Sequence, residues 1–180
     1  FGKNKIQSTY LISTADFVAC HNPAYVNQYD MLKNLRKGGT FLLNCLWNKD
    51  ELEEHLPGAM KRYLAENDIN FYTINAVKIG EEIGLGNRIN MIMQTAFFAL
   101  TKVIPIDEAI AHLKESIVKN YGFMGEDIVE MNYKAVDMGA TAFEKIEIPA
   151  SWADAEDTSV AEKQEPDFIK NILRPISRQE

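Results

Sequence analysis

The chain has 180 residues, of which 46% are hydrophobic and 25% charged, and it carries a formal net charge of -7. That length fits one domain with a tail, and the apolar share is enough to build a core. The acidic balance argues against a nucleic-acid partner or a membrane surface, since both need clustered Lys and Arg. The longest apolar stretch, Ile89–Leu100, is broken by Asn90, Gln94 and Thr95 and is too short and too polar to span a bilayer. No secretory signal stands at the start, and Phe1-Gly2-Lys3-Asn4-Lys5 reads like the interior of a longer protein. The expectation is a cytoplasmic domain taken from a larger chain.

In chain order, Ser8–Ile12 is rich in β-formers and reads as a short strand. Ala15–Cys20 is a compact apolar run of a length that suits a buried strand. Pro23 favours a helix start, and Tyr25, Tyr29, Leu32 and Leu35 hold helical spacing up to Gly38-Gly39. Thr40–Leu46 follows as a second buried strand, which completes a βαβ pattern and predicts parallel pairing. A charged helical stretch covers Asn48–Asn67, interrupted at Pro57-Gly58. Asn70–Asn75 reads as a third strand. The rest is mainly helical: Arg88–Val103, apolar nearly all round, Asp107–Asn120, cleanly amphipathic, and Gly125–Phe143. Lys145–Ile148 reads as a final short strand. The expected fold is α/β, a three-layer sandwich with a mostly parallel or mixed sheet over residues 1–149. Residues 150–180 are expected to form an extended C-terminal tail, acidic and aperiodic up to Glu165. Its Trp152, Phe168, Ile169, Ile172 and Leu173 are expected to dock onto a neighbouring unit.

Candidate chemistry is sparse. There is no nucleophile elbow, P-loop or His-Glu-x-x-His. Gly80, Gly84 and Gly86 have the wrong spacing for a dinucleotide loop and read as a helix-ending turn. Cys20 and Cys45 belong to no Cys-x-x-Cys pair and read as reduced, buried thiols, with a disulfide between them as the alternative. A [4Fe–4S] cluster is normally held by four thiolates, so this chain cannot hold one alone. The segment His21-Asn22-Pro23 lies where a parallel strand ends and a helix starts, the edge at which open α/β sheets bind ligands. Asn22 would equally serve as a helix cap there. Asn44 sits in the next strand, and Arg88 and Asn90 open the apolar helix, where Arg88 could meet a phosphate or an ion pair from Glu81 or Glu82. His55 and His112 lie on charged faces and read as solvated.

Several segments together resemble one family. They are Gln7–Ile12, Ala15–Pro23, Tyr25–Asp30, Gly38–Asn44, Gly86–Asn90 with Gln94–Phe98, Lys119–Gly122, Ile148–Ala153 and Phe168–Ile172. The chain resembles the third domain of pyruvate:ferredoxin (flavodoxin) oxidoreductases, equivalent to the γ subunit of 2-oxoacid:ferredoxin oxidoreductases, with a glycine-rich N-terminal stretch missing. The resemblance implies a parent enzyme that oxidatively decarboxylates pyruvate with coenzyme A to acetyl-CoA and CO2, reducing ferredoxin or flavodoxin. It implies thiamine diphosphate, Mg2+ and [4Fe–4S] clusters, held by other domains of a homo-oligomeric parent. For this stretch it implies coenzyme A handling, and the groups that would serve it are the ones that strand ends and helix starts place: His21, Asn22, Pro23, Asn44, Arg88 and Asn90. A purely structural scaffold is the competing expectation, and a dehydrogenase lacks its glycine fingerprint.

Overall fold

The computed structural model describes residues 13–157. Its centre is a four-stranded sheet in the order β1 (Ala15–Cys20), β2 (Leu35–Asn44), β3 (Asn70–Ile74), β4 (Phe143–Lys145). β1 pairs with β2 and β2 with β3 in parallel, while β4 runs antiparallel to β3, so the sheet is mixed. Val18, Cys20, Phe41, Leu43 and Phe71 point to one face, and Phe17, Ala19, Leu42, Tyr72 and Ile74 to the other. This alternation means both faces must be covered. On the first face lie the 3₁₀ turn Pro23–Asn27, α1 (Lys49–His55) and α2 (Gly58–Glu66). On the second lie α3 (Ala76–Glu82), α4 (Asn90–Thr101) and α6 (Glu126–Gly139), and α5 (Ile106–Tyr121) packs outside α4 and α6. The result is the expected three-layer α/β sandwich. No helix among the described residues is long and apolar enough to cross a membrane.

The expected helix after Pro23 is shorter than its spacing suggested. It is a five-residue 3₁₀ turn, and Leu35 already belongs to β2. Buried Leu32 and Leu35 still fill the core, but they do so from a turn closed by the Leu35 amide donating to the Leu32 carbonyl at 2.8 Å. Gly38-Gly39 therefore does not stop a helix. It lies inside β2, where the pairing slips from Ala15–Leu35 to Phe17–Thr40. Gly38 has φ +71 there, and its amide donates to the Asn67 carbonyl at 2.8 Å. A left-handed residue at a bulge is what glycine permits at least cost.

The break at Pro57-Gly58 falls between α1 and α2 as expected, and Asn48 and Glu51 form a capping box that starts α1. The last helix ends at Gly139 rather than Phe143, and the last strand lies at Phe143–Lys145 rather than Lys145–Ile148. The Ser8–Ile12 strand lies outside the described residues.

The tail expectation is corrected for its described part, residues 150–157. Ala150–Asp154 forms a 3₁₀ turn, and Trp152 is 2% exposed within this domain's own core, against Phe71 and α2. Its indole N–H donates to the Glu53 carboxylate, and the Lys61 ammonium both pairs with Glu53 at 2.8 Å and sits 5.9 Å from the Trp152 ring centroid. Farther on, Arg62 donates to the Ala155 carbonyl and pairs with Asp157 at 2.9 Å. Acidic, aperiodic composition conceals this, because one indole buries enough area to dock a short segment when its N–H finds a partner. Phe168, Ile169, Ile172 and Leu173 lie outside the described residues.

The clasp makes a pH prediction. Hydrogen bonds from Lys61 and then Trp152 hold the Glu53 carboxyl below its ordinary 4.5, and Arg62 holds Asp157 below its ordinary 3.8. Lowered folded-state values mean that the stabilisation is present at neutral pH and is lost as pH falls through and below these values. Both carboxylates are solvent-facing, so the effect is modest. Urea unfolding followed by circular dichroism at pH 7 and pH 3 should show the loss, and Glu53→Gln should reduce the pH dependence. An unchanged pH dependence in that variant would remove Glu53 from the account.

Candidate functional site at the carboxyl edge of the sheet

β1, β2 and β3 all end at one edge, and each is followed by a turn that starts a helix. Asparagines organise that edge. Asn22 accepts from the Ala24 amide at 3.1 Å and caps the Pro23–Asn27 turn. Asn48 caps α1, and Asn75 caps α3 by accepting from the Lys78 amide at 3.0 Å. Asn44 is 2% exposed. Its amide nitrogen donates to the His21 carbonyl at 2.9 Å, and its carbonyl accepts from the Ala76 amide at 2.9 Å. Asn44 thus ties the loop after β1 to the start of α3 across β2. Each end of its amide is engaged with backbone. Asn75 and the stapling role of Asn44 escaped the sequence reading. Their signal is an Asn directly after the last apolar residue of β2 and of β3, Leu43 and Ile74.

Around this frame His21 and Asn22 are exposed and Pro23 is half-buried. Tyr25 and Tyr29 stand beside them, 43% and 38% exposed, with their rings edge to face at 5.5 Å. His55 is not merely solvated, as expected, but stacks on Trp47 at 4.6 Å. His112 is exposed near Glu108 and Glu115, as expected. Arg88 and Asn90 are exposed on the approach to α4. No hydrogen bond or ion pair joins either side chain to His21, Asn22 or Asn44, and Arg88 does not pair with Glu81 or Glu82. α3 carries the chain about 10 Å along its axis before that loop. The structure therefore brings His21, Asn22, Pro23 and Asn44 together and leaves Arg88 and Asn90 on a separate segment.

Both cysteines are free and buried. Burial raises the Cys20 thiol, and it pushes Cys45 up to about 11 against a lowering hydrogen bond from the Trp47 backbone. The Cys20 thiol donates to the Asn22 carbonyl at 3.0 Å. Thiols held protonated in this way are poor nucleophiles and poor metal ligands at neutral pH. Among the described residues no group of three or more His, Cys, Asp or Glu side chains is placed to hold a metal ion. With two cysteines in the whole chain, its donor set does not fit a [4Fe–4S] cluster.

The family model for pyruvate ferredoxin/flavodoxin oxidoreductase matches residues 1–142. The chain belongs to the pyruvate ferredoxin/flavodoxin oxidoreductase family. It is 54% identical over 178 residues to the pyruvate:ferredoxin oxidoreductase of Moorella thermoacetica, covering 98% of this chain and 15% of that relative. It is 41% identical over 178 residues to the mitochondrial pyruvate dehydrogenase [NADP(+)] of Euglena gracilis, covering 98% of this chain and 10% of that relative. The chain thus spans a small part of the curated relatives it matches. Its fold is similar to that of pyruvate oxidoreductase subunit PORC from Thermotoga maritima, with a TM-score of 0.59 and 15% identity over 76% of this chain and 67% of that one.

Proposed function

We propose that this chain is the γ-type module of an enzyme that oxidatively decarboxylates pyruvate with coenzyme A, giving acetyl-CoA and CO2 and reducing ferredoxin or flavodoxin. The observation that carries this is sequence identity of 54% across nearly the whole chain to a pyruvate:ferredoxin oxidoreductase. In this reading the body of the module extends through the docked segment 150–157, and the residues after it connect to the rest of a cytoplasmic, homo-oligomeric parent. Thiamine diphosphate, Mg2+ and iron–sulfur clusters would supply the decarboxylation and electron-transfer chemistry from other domains. The relatives' names differ in the acceptor, ferredoxin in one and NADP(+) in the other, but share pyruvate. That sharing supports placing the module in the pyruvate half of the reaction rather than in the choice of acceptor.

Within that half, coenzyme A handling suits the carboxyl edge. The exposed His21 and the side-chain nitrogen of Asn22 offer polar groups to an anionic ligand, while the first amides of the turn, on Ala24 and Tyr25, are already bonded to Asn22. Arg88, exposed and unpaired with any described acid, would need to reach the edge by movement of its loop or from the ligand's far end. A scaffold role is the second reading, and one observation favours it: both ends of the Asn44 amide and the side-chain oxygens of the three capping asparagines are already bonded to the protein's own backbone.

Calorimetric titration of coenzyme A into the full-length parent decides between them. Binding that His21→Ala and Arg88→Ala each weaken several-fold, with unfolding midpoints unchanged, supports coenzyme A handling. Unchanged affinity in both variants leaves the scaffold reading. The 180-residue chain alone, given pyruvate, coenzyme A, thiamine diphosphate, Mg2+ and an electron acceptor, is expected to reduce no acceptor. Measurable reduction would overturn the accessory assignment.

A further inference from the structure

We propose that the groove between α5 and α6 is a docking surface for a segment of the same longer polypeptide, one that carries a large apolar side chain flanked by Lys or Arg. The groove has a volume of about 550 Å³ and is lined by Val118, Gly122, Glu126, Val129, Glu130 and Tyr133. It lies on the outer helical layer and is not part of the carboxyl edge. Beside it the 3₁₀ turn Gly122–Met124, closed by Gly125 at φ +108, holds Phe123 and Met124 outward. Val118, Phe123 and Met124 are 50%, 85% and 46% exposed. Apolar side chains presented together beside a groove are the mark of an interaction surface.

Charge selects the occupant. The lining residues that carry charge at neutral pH are two carboxylates, Glu126 and Glu130. Glu130 has a described partner in Lys134 at 3.8 Å, and Glu126 pairs with no described residue. Covering these acids with an apolar surface would strand their charge, so a partner must bring a cation with its apolar group. A second copy would bring the same two acids and a net charge of -7 against this face. The longer polypeptide of the proposed reading can supply the segment, since this chain amounts to 15% of its Moorella thermoacetica relative and domains of one chain pack against each other through interfaces that mix apolar and polar groups. The inference rests on the proposed reading only in requiring a longer parent.

The test places the photo-crosslinker benzoylphenylalanine at position 123 of the full-length parent. Phe123 is exposed, so the fold tolerates it. After irradiation, peptide mapping should find the adduct on a segment outside these 180 residues, next to a Lys or Arg. Glu126→Lys with Glu130→Lys should cut its yield several-fold. An adduct within these 180 residues, an adduct to a second copy in a mixed-isotope sample, no adduct, or a yield indifferent to charge reversal would each overturn the proposal. Coenzyme A titrations on the same samples separate the two readings. Normal binding without an adduct sinks the docking surface alone, and the expected adduct without binding sinks the coenzyme A assignment alone.

Discussion

Replacing Trp152 by alanine is expected to destabilise the domain by about 3–5 kcal/mol, the range for emptying a large buried aromatic site. Trp152 is 2% exposed and packs with Phe71 on the sheet face that α2 covers. Truncation opens a cavity and also strips Glu53 of one of its two donors, leaving Lys61 as the other. The residues around it cannot collapse freely, because Gly58 lies directly against the Glu156 carbonyl. Trp152→Phe should recover most of the packing but not the hydrogen bond, and so fall well short of the alanine loss. Urea unfolding monitored by circular dichroism gives both numbers. A loss under about 1 kcal/mol for Trp152→Ala would show that the turn at 150–154 is a surface attachment and not part of the core.

Gly139→Ala carries the second large effect, and here two physical terms oppose each other. Alanine in a helix is favoured over glycine by up to about 1 kcal/mol. At this position, however, a Cβ would sit 2.5 Å from the Ile92 carbonyl oxygen and 2.9 Å from the Ile92 Cα. Those are backbone atoms of α4, and they cannot rotate away as a side chain could. α6 would have to withdraw from α4, disturbing Ile92, Ala96 and Ala135, each 0% exposed. The steric term wins, and the expected net cost is about 3 kcal/mol, the upper part of the range for overpacking. An increase in the unfolding midpoint would mean that helix propensity governs the site and that α4 and α6 are less tightly apposed than described.

Local chemistry was sufficient to read much of this protein from its sequence. Ala15–Cys20 is an apolar run of strand length, and it is β1. Asn48 with Glu51 announces a helix start, Pro57-Gly58 a break and Asp107-Glu108 a first turn, and each lies where α1, α2 and α5 require. An apolar helix around Ile92 and Ala96 has to be covered, and it is. Family membership was also legible, from many short segments in one order. Tertiary structure alone decided what depended on residues far apart in the chain. Tyr25, Tyr29, Leu32 and Leu35 keep helical spacing, but Leu35 finds β1 and the Tyr63 hydroxyl, which donates to its carbonyl at 2.5 Å, so it becomes strand. Gly38-Gly39 looks like any helix terminator until β1 pairs on both sides of it and turns it into a bulge. Asn44 resembles a ligand-binding side chain until β1 and α3 close on it and consume both ends of its amide. Trp152 sits in a stretch whose composition promises no structure, and only the face of α2, with Glu53 and Lys61 already in place, makes its burial favourable. A propensity is a property of neighbours in sequence, whereas a buried hydrogen bond or a filled cavity depends on partners 23 to 99 residues away.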